Sequence, residues 1–176
     1  MKASLACSIL LVGLLAACSP PTEKTYFSDS PELTQSKMLF KAYLEGNFDE
    51  IVGMYTADAI ILRNKWDADD AMNPAEYVQN LQAGLGPISS YSLTEPQWEM
   101  VINDEGEKWV HVWAKFTGEV AGNIGTFTFP IHVSQRYEDG KIAFQIDIFD
   151  KSELTTALMN TQNAAEEEME ELSQED

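Results

Sequence analysis

The carboxyl-terminal half of the chain alternates apolar and polar residues over four long stretches. They run from Gln97 to Ile102, Trp109 to Val120, Thr126 to Tyr137 and Lys141 to Phe149. A period of two is typical of strands that bury one face. The last two stretches are joined by Asp139-Gly140, a pair that favours a two-residue hairpin turn. The sequence therefore predicts a meander of long antiparallel strands.

Helix signals come before these strands. Ser30 is followed by proline, and serine at this position can accept a bond from a free amide at a helix start. Gly46 favours the end of this helix. Asn73-Pro74-Ala75-Glu76 repeats the start signal with capping-box spacing, and the apolar run 59–62 predicts a short strand between the two helices. Helices followed by an antiparallel meander indicate an α+β fold, with the helices on one face of a curved sheet.

The amino terminus carries an export signal. Lys2 precedes an apolar run that is too short to cross a bilayer of about 30 Å as a helix. The run ends in Leu15-Ala16-Ala17-Cys18, which resembles the lipobox of bacterial lipoproteins, where the chain is cut before the cysteine and the sulfur is lipid-modified. We therefore expect a signal peptide at residues 1–17 and a membrane anchor through lipid on Cys18. Ordinary secretion with a chance cysteine is the alternative.

The lipobox resemblance also implies a location. An exported, lipid-anchored chain belongs in the bacterial cell envelope. Ser19 stands where aspartate would favour retention at the inner membrane, so the enteric sorting pattern favours the outer membrane, facing the periplasm. Cys7 leaves with the signal peptide and Cys18 is consumed by lipid, so we expect no disulfide and a fold held by packing alone.

Composition and charge divide the remaining chain and limit its partners. We expect a lipidated cysteine and tether at 18–30, one domain at 31–160 and an acidic tail at 161–176. Apolar residues make up 44% of the chain, enough for a sizeable core. The chain has 29 Asp and Glu against 11 Lys and Arg, a formal charge of −18. Binding to nucleic acid needs cationic side chains on phosphates, so nucleic acid is not an expected partner.

The order of these elements resembles the SnoaL-like branch of the nuclear transport factor 2-like superfamily. The resemblance rests on Trp109-Val110-His111-Val112-Trp113, Asp139-Gly140-Lys141-Ile142 and Ile146-Asp147-Ile148-Phe149-Asp150, and it covers residues 33–158. It implies a cone-shaped, cystatin-like fold, in which a strongly bent antiparallel sheet wraps around N-terminal helices and leaves a pocket at the open end. The superfamily includes polyketide cyclases, ketosteroid isomerases, dehydratases and binding proteins without chemistry, so the fold does not decide the function.

The resemblance implies candidate catalytic residues. In cyclase-like members, a His and an Asp on facing strands do acid/base work next to a carbonyl, and Asp147 occupies the position of the family's Asp. A two-residue turn at Asp139-Gly140 sets a register that puts His132 opposite Asp147, with β-carbons about 4.5–5.5 Å apart. Asp147 as base and His132 as proton partner are therefore the predicted pair.

The same register supports a second interpretation. It places His132 and Asp147 on the polar face of the hairpin, away from the apolar face that should meet the helices. That polar face would lie outside the cone, where relatives often dimerise through the sheet. A β-bulge would invert the facing locally. We favour a structural or interface role for the pair.

Other residues are candidates for lining a pocket. His111 and Trp113 alternate on one face of a strand, and Tyr55 and Trp66 lie near the expected mouth of the cone. Ordinary packing is the alternative for each. Two His without a thiolate or a tight ligand spacing fall short of a zinc site, so no metal and no cofactor is expected.

Three functions fit the sequence. We favour an envelope lipoprotein whose domain binds a small apolar ligand or a partner without turnover. The alternative is an enzyme of the cyclase, isomerase or dehydratase type that uses the Asp147–His132 pair. The third is a homodimeric assembly or accessory protein.

Overall fold

The computed structural model describes residues 25–122, 125–160 and 163. The predicted signal peptide, Cys18 and most of the tether and acidic tail lie outside these residues. Within the described part of the chain, no helix is long and apolar enough to cross a membrane. The elements are β1 (Tyr26–Phe27), α1 (Pro31–Glu45), α2 (Phe48–Val52), β2 (Tyr55–Arg63), a 3-10 turn (Ala68–Asp70), α3 (Pro74–Leu85), β3 (Ile88–Ile102), β4 (Lys108–Val120), β5 (Thr126–Glu138) and β6 (Lys141–Phe149). Residues 152–160 form a further helix.

The predicted helix signals act as expected. The Ser30 side chain accepts a hydrogen bond from the amide of Leu33, and Gly46 ends α1 in the left-handed region at φ 74°. Asn73 and Glu76 form a complete capping box at the start of α3. These caps satisfy backbone groups that a helix end leaves without partners, so their local sequence fixes where each helix begins.

The six strands form one sheet in the order β1-β3-β4-β5-β6-β2. All neighbours are antiparallel except β2 and β6, which are parallel, so the sheet is mixed. β3 begins at Ile88, nine residues before the predicted start at Gln97. Its register shifts between Thr94 and Gln97, and Glu95 there has φ 52°. This irregularity bends the strand and breaks the alternation from which its length was predicted.

Two apolar clusters lie between the helices and the inner face of the sheet. The larger one packs α1, α2 and α3 against the central strands and includes the fully buried Ile51, Ile61 and Val110. The second is a series of phenyl rings near the other end of the strands, joined by Phe116, Phe127, Phe129 and Phe149 with ring centroids 5.3–6.1 Å apart. The helix at 152–160 covers this second cluster with Ala157. Together the two clusters confirm the α+β arrangement with the helices on one face of the sheet.

The β5–β6 hairpin contains a bulge that changes the predicted register. Asp139 and Gly140 have φ 48° and 77°, as a two-residue turn of this kind requires, and Glu138 pairs with Lys141. Arg136 then pairs with Phe144 rather than with Ala143, so Ala143 is an extra residue in β6. From this bulge onward every pair is displaced by one position, and the two faces of β6 are exchanged.

The displaced register separates the predicted pair. His132 lies opposite Ile148, and Asp147 lies opposite Val133. Val133 belongs to the larger apolar cluster, so the Asp147 side chain points to the inner face and His132 to the outer face. The prediction that His132 faces Asp147 is therefore wrong, because the turn alone does not reveal the extra residue.

Candidate ligand cavity

A cavity of about 90 Å³ lies between the helices and the inner face of the sheet. Most of its wall is apolar. Four of its side chains carry polar groups that meet at one side: Arg63 from β2, Tyr77 from α3, and Gln145 and Asp147 from β6. The remaining lining residues are Leu39, Phe40, Tyr43, Leu81, Leu93, Phe116, Phe129, Ile131, Val133 and Phe149. An apolar cavity with a few convergent polar groups is the usual form of a small-molecule site.

Asp147 is the buried acid of this cavity, with only 5% of its surface exposed. The Tyr77 hydroxyl donates a hydrogen bond of 3.1 Å to Oδ2, and the Gln145 amide donates one of 2.7 Å to Oδ1. The Nε atom of Arg63 lies 3.3 Å from Oδ2. Two donors and one cation therefore surround the carboxylate, an arrangement that suits its ionised form.

Burial and these contacts act on the acid in opposite directions. Burial raises the pKa of Asp147 above its ordinary value, while Arg63, Gln145 and Tyr77 oppose the rise. Burial likewise raises the pKa of Tyr77 well above 10.0. Tyr77 is therefore a neutral phenol at physiological pH, able to donate its proton in a hydrogen bond.

Gln145 connects the acid to a buried hydrogen-bond network. Its Oε1 atom accepts bonds from the Tyr55 hydroxyl at 2.7 Å and from the Gln135 amide at 2.8 Å. Because Oε1 is occupied by two donors, the amide nitrogen of Gln145 is the atom that faces Asp147. Gln135 in turn accepts bonds from the hydroxyls of Ser36 and Tyr137. The network fixes the orientation of Gln145 and thereby that of the carboxylate.

Arg63 lies in the polar part of the cavity wall. Its guanidinium carbon lies 5.0 Å from the ring centre of Phe149 and 5.8 Å from that of Tyr77, and Nη1 donates to Asn80 Oδ1. Its Nε atom is buried and makes no hydrogen bond within the described residues, although it is at ion-pair distance from Asp147. Arg63 is thus held by two aromatic rings, by Asn80 and by its ion pair with Asp147.

The structure separates the residues that the sequence suggested for a pocket. Tyr55 lies behind the cavity wall, 2% exposed, where it supports Gln145. Trp66 is 79% exposed and is not part of the lining. His111 and Trp113 lie on the outer face of the sheet, because their neighbours Val110 and Val112 point into the core. Of these four residues, only Tyr55 contacts the polar network of the cavity.

His132 has a different set of contacts on the outer face. Its Nε2 atom lies 2.8 Å from the Ser134 hydroxyl, and Nδ1 of His111 lies 2.9 Å from the same oxygen. Burial lowers the pKa of both imidazoles.

The outer face also forms part of an open groove of about 460 Å³ that Trp113 lines together with Tyr26 and Gln97. The acid/base pair predicted from the sequence is not assembled here.

Arg63, Tyr77 and Gln145 were not among the candidate residues. The helical spacing of Tyr77 indicated only a core position. Gln145 and Asp147 share a face, so the bulge moves both of them together to the inside. Arg63 directly follows the apolar run 59–62 and ends β2, and a cation at the end of an apolar run is the one local signal of its role. In the described part of the chain, no group of three or more His, Cys, Asp or Glu side chains has the geometry to hold a metal ion.

Comparison with solved structures identifies the fold. IdmH of Streptomyces antibioticus, a proposed polyketide cyclase, superposes with a TM-score of 0.57 at 16% identity over 74% of this chain and 99% of its own. A proposed SnoaL-like polyketide cyclase of Shewanella putrefaciens gives a TM-score of 0.58 at 13% identity, over 75% and 88% of the two chains. An LEH-like epoxide hydrolase of M. tuberculosis gives a TM-score of 0.52 at 13% identity, over 77% of this chain and 94% of its own.

No protein-family model matches the sequence, and no curated protein matches it. The likeness to solved structures therefore shows the fold of the domain. The order of the strands and the inner cavity agree with that fold. The domain has the nuclear transport factor 2-like fold, in the form shared by SnoaL-like proteins.

Proposed function

We propose that this domain binds a small, mainly apolar molecule in its inner cavity without turning it over. The observation that carries the proposal is the ion pair between the buried Asp147 and the partly buried Arg63 in the wall of a mainly apolar cavity. Burying an ion pair costs free energy that apolar side chains in its place would avoid. A pair kept at a cavity wall is better explained by contact with a ligand than by stability.

The size of the cavity limits the ligand. Sites for drug-sized molecules usually measure about 300–1,000 Å³, and about 150 Å³ is enough for benzene. The cavity here measures about 90 Å³. A molecule no larger than a small ring fits without movement of the wall, and a polyketide does not.

An NMR screen of small ring compounds tests this function. It follows the methyl signals of three residues that line the cavity: Leu81, Leu93 and Ile131. Binders should move these signals and leave the outer-face methyl groups of Ile148 unchanged. An Ile131→Phe variant, which fills the cavity, should lose the response. A matched Ile148→Thr variant should keep it, because residue 148 lies on the other face. A complete set of small rings that leaves all cavity methyl signals unmoved would contradict the proposal.

The same proposal places the domain in the bacterial envelope, lipid-anchored through Cys18 to the outer membrane and facing the periplasm. The lipobox Leu15-Ala16-Ala17-Cys18 supports the anchor, and Ser19 supports the choice of membrane. Metabolic labelling with an alkyne-bearing fatty acid tests it. The wild-type chain should be labelled and should sediment with outer membranes, and Cys18→Ser should do neither.

An enzymatic function of the cyclase, isomerase or dehydratase type is the second candidate. The buried Asp147, whose pKa is raised by burial, favours it, since a base inside an apolar cavity is suited to proton abstraction. His132 cannot be its direct partner from the outer face, so Tyr77 and Arg63 are the groups in contact with the acid. Any turnover found should be lost in Asp147→Asn, and unchanged turnover in that variant excludes this candidate.

Homodimerisation through the sheet is the third candidate. Three apolar side chains on the outer face are strongly exposed: Ile60 at 45%, Trp113 at 40% and Ile148 at 49%. Apolar surface gathered on one face of a sheet marks an interaction site more often than scattered exposure does. An assembly or accessory role would use this face and leave the cavity free.

A further inference from the structure

The open groove of about 460 Å³ lies at the β1 edge of the sheet, beside its outer face. Its volume falls in the range of about 300–1,000 Å³ that is usual for small-molecule sites. The lining residues come from β1 and the residue after it, from β3 and from β4: Tyr26, Phe27, Ser28, Gln97, Trp98, Glu99 and Trp113. The groove and the inner cavity share no lining residue, so the groove can hold a ligand of its own.

Most of the groove wall is aromatic. Tyr26 and Trp113 are 60% and 40% exposed, and they present apolar rings to solvent. Phe27 and Trp98 line the groove and also pack against the larger apolar cluster, which holds them in place. The groove therefore offers a prepared surface to the hydrocarbon or ring part of a ligand.

Glu99 gives the groove its charge, and it is the one lining residue with an ionised side chain. Glu99 is half-buried, and within the described part of the chain its carboxylate forms no hydrogen bond and no ion pair. His111 lies directly opposite on β4, where burial lowers its pKa and Glu99 opposes the effect. The neighbours of His111 on β5 are Ser134 and His132, and burial lowers the pKa of His132 as well. Both imidazoles are therefore neutral at pH 7, and no cation compensates Glu99.

An uncompensated carboxylate among aromatic rings favours a cation. Aromatic rings attract cations to their negative faces, and a carboxylate accepts strong hydrogen bonds from an ammonium group. The amide oxygen of Gln97 and the hydroxyl of Ser28 are further acceptors in the lining, and among the residues that the structure describes neither side chain has a hydrogen-bond partner. An ammonium group has three N–H donors for these acceptors, whereas an anion would meet Glu99 without any compensating charge.

We propose that the groove binds an organic cation, namely an amine with an apolar or aromatic body. The ammonium group pairs with Glu99, and the apolar body lies against Tyr26 and Trp113. The formal charge of −18 attracts cations to the whole chain, and the groove adds a place where charge and rings act together. The site lies on the β1 side of Trp113, whereas the exposed Ile60 and Ile148 lie on β2 and β6, beyond its other side.

NMR titration of the whole protein with three probes of similar shape tests the proposal. The probes are the 2-phenylethylammonium cation, neutral 2-phenylethanol and the 3-phenylpropanoate anion. The indole N–H signals of Trp98 and Trp113 report on the groove, and that of Trp66, exposed outside the groove, reports on unspecific binding. The cation should move only the first two signals. It should bind about fivefold or more tightly than the alcohol, as expected for one ion pair with a cation–π contact, and the anion should bind most weakly.

The pKa of His111 shows where the cation lies. A cation on Glu99 cancels the carboxylate charge that supports the protonated imidazole, so the pKa of His111 should fall further below its ordinary value. The imidazole signals followed against pH measure this shift. The alcohol should leave the pKa of His111 unchanged, because it brings no charge to Glu99.

Glu99→Gln tests the carboxylate itself, because it keeps the size of the side chain and removes the charge. This variant should bind the cation about fivefold or more weakly than the wild type does and should bind the alcohol equally well. Glu105→Gln is the matched control: it removes an exposed acid outside the groove lining and gives the same net charge. It should leave the affinities for all three probes unchanged.

Several results would overturn the inference. Equal affinities for the cation and the alcohol would remove the charge from the argument. Equal losses of cation affinity in Glu99→Gln and Glu105→Gln would show that only the net charge of the chain matters. A cation that leaves the signals of Trp98 and Trp113 unmoved, or that moves only the methyl signals of the inner cavity, would show that the groove is not its site. Ligand binding in the inner cavity keeps its own test in each case.

Discussion

Asp147 lies opposite Val133 in the β5–β6 hairpin, one residue out of step with the register that the Asp139-Gly140 turn begins. The extra residue Ala143 produces this displacement. It turns a carboxylate from the outer face to the inner face, where Tyr77 and Gln145 hold it. A single backbone irregularity thus decides whether the cavity has an acid at all.

The first prediction concerns the hydrogen bond that Tyr77 donates to Asp147. Tyr77→Phe removes a donor that favours the carboxylate, so the pKa of Asp147 should rise further. Carbon-13 NMR of the labelled carboxyl group measures this pKa directly. The lost buried hydrogen bond should also lower the free energy of unfolding by about 1–2 kcal/mol.

Tyr91→Phe is the control for this measurement. The Tyr91 hydroxyl donates to the backbone oxygen of Tyr43 and has no contact with the acid. The Tyr91→Phe variant should lower the free energy of unfolding by a similar or smaller amount and should leave the titration of Asp147 unchanged. An unchanged titration in Tyr77→Phe would mean that burial, Arg63 and Gln145 set the pKa of Asp147 without Tyr77.

The second prediction concerns the dependence of stability on pH. Because burial raises the pKa of Asp147 in the folded chain above its ordinary 3.8, the folded state holds this proton to a higher pH than the unfolded state does. Stability from this residue is therefore fully present below pH 3.8 and is lost as the pH rises through the raised value. The free energy of unfolding of the wild type minus that of Asp147→Asn should fall across this window.

Chemical denaturation of both proteins at a series of pH values measures that difference. The subtraction removes the contribution of the many other acids, which titrate in both proteins. A difference that instead grows with pH would show that Arg63, Gln145 and Tyr77 outweigh burial and lower the pKa of the folded acid.

The sequence allowed the architecture to be predicted but not the site, and the physical reason is the range of the interactions. Helix caps at Ser30 and Asn73 and the turn at Asp139-Gly140 are made by residues that are close in sequence, so their patterns are readable locally. Alternation along β4, β5 and β6 likewise reports one buried face. The start of β3 was missed because Glu95 interrupts its alternation.

The site depends on relations that no short pattern contains. The bulge at Ala143 becomes visible only in the pairing of β6 with β5, and Ala143 itself has no unusual chemistry. Gln145 and Tyr55 are 90 positions apart in the sequence and become partners only through the parallel pairing of β2 with β6. The sequence pattern could show that Asp147 and Gln145 share a face, but not which face it was.

The third prediction tests the close approach of β3, β4 and β5 at Gly118. A β-carbon at this position would lie 2.9 Å from the backbone oxygen of Ser90 and 2.6 Å from the ring of Phe127. Gly118→Ala should therefore lower the free energy of unfolding by about 1–3 kcal/mol, the usual cost of overpacking. Gly84→Ala is the opposite case, since nothing lies within 4 Å of a β-carbon at this position, which is in the last turn of α3.

Thermal and chemical denaturation of the two variants gives the comparison. Gly84→Ala should raise the free energy of unfolding by about 0.5–1 kcal/mol, because alanine is the better helix former. Equal stabilities for the two variants would show that the strands around Gly118 separate without cost.

The fourth prediction concerns the outer face of the sheet. Trp113 and Ile148 are 40% and 49% exposed on this face, and burying them against a second copy would remove apolar surface from water. We expect a dimer at micromolar concentration and expect Ile148→Glu to convert it to a monomer, because the two introduced acids would meet across a two-fold interface. Leu44→Glu is the control: it changes a leucine of 38% exposure on α1, away from the outer face, and should leave the dimer intact. Light scattering over a series of concentrations gives the mass of each protein. A wild-type chain that is monomeric at every concentration excludes the dimer. That result would leave the proposed ligand binding in the cavity unaffected, because the cavity lies on the other face of the sheet.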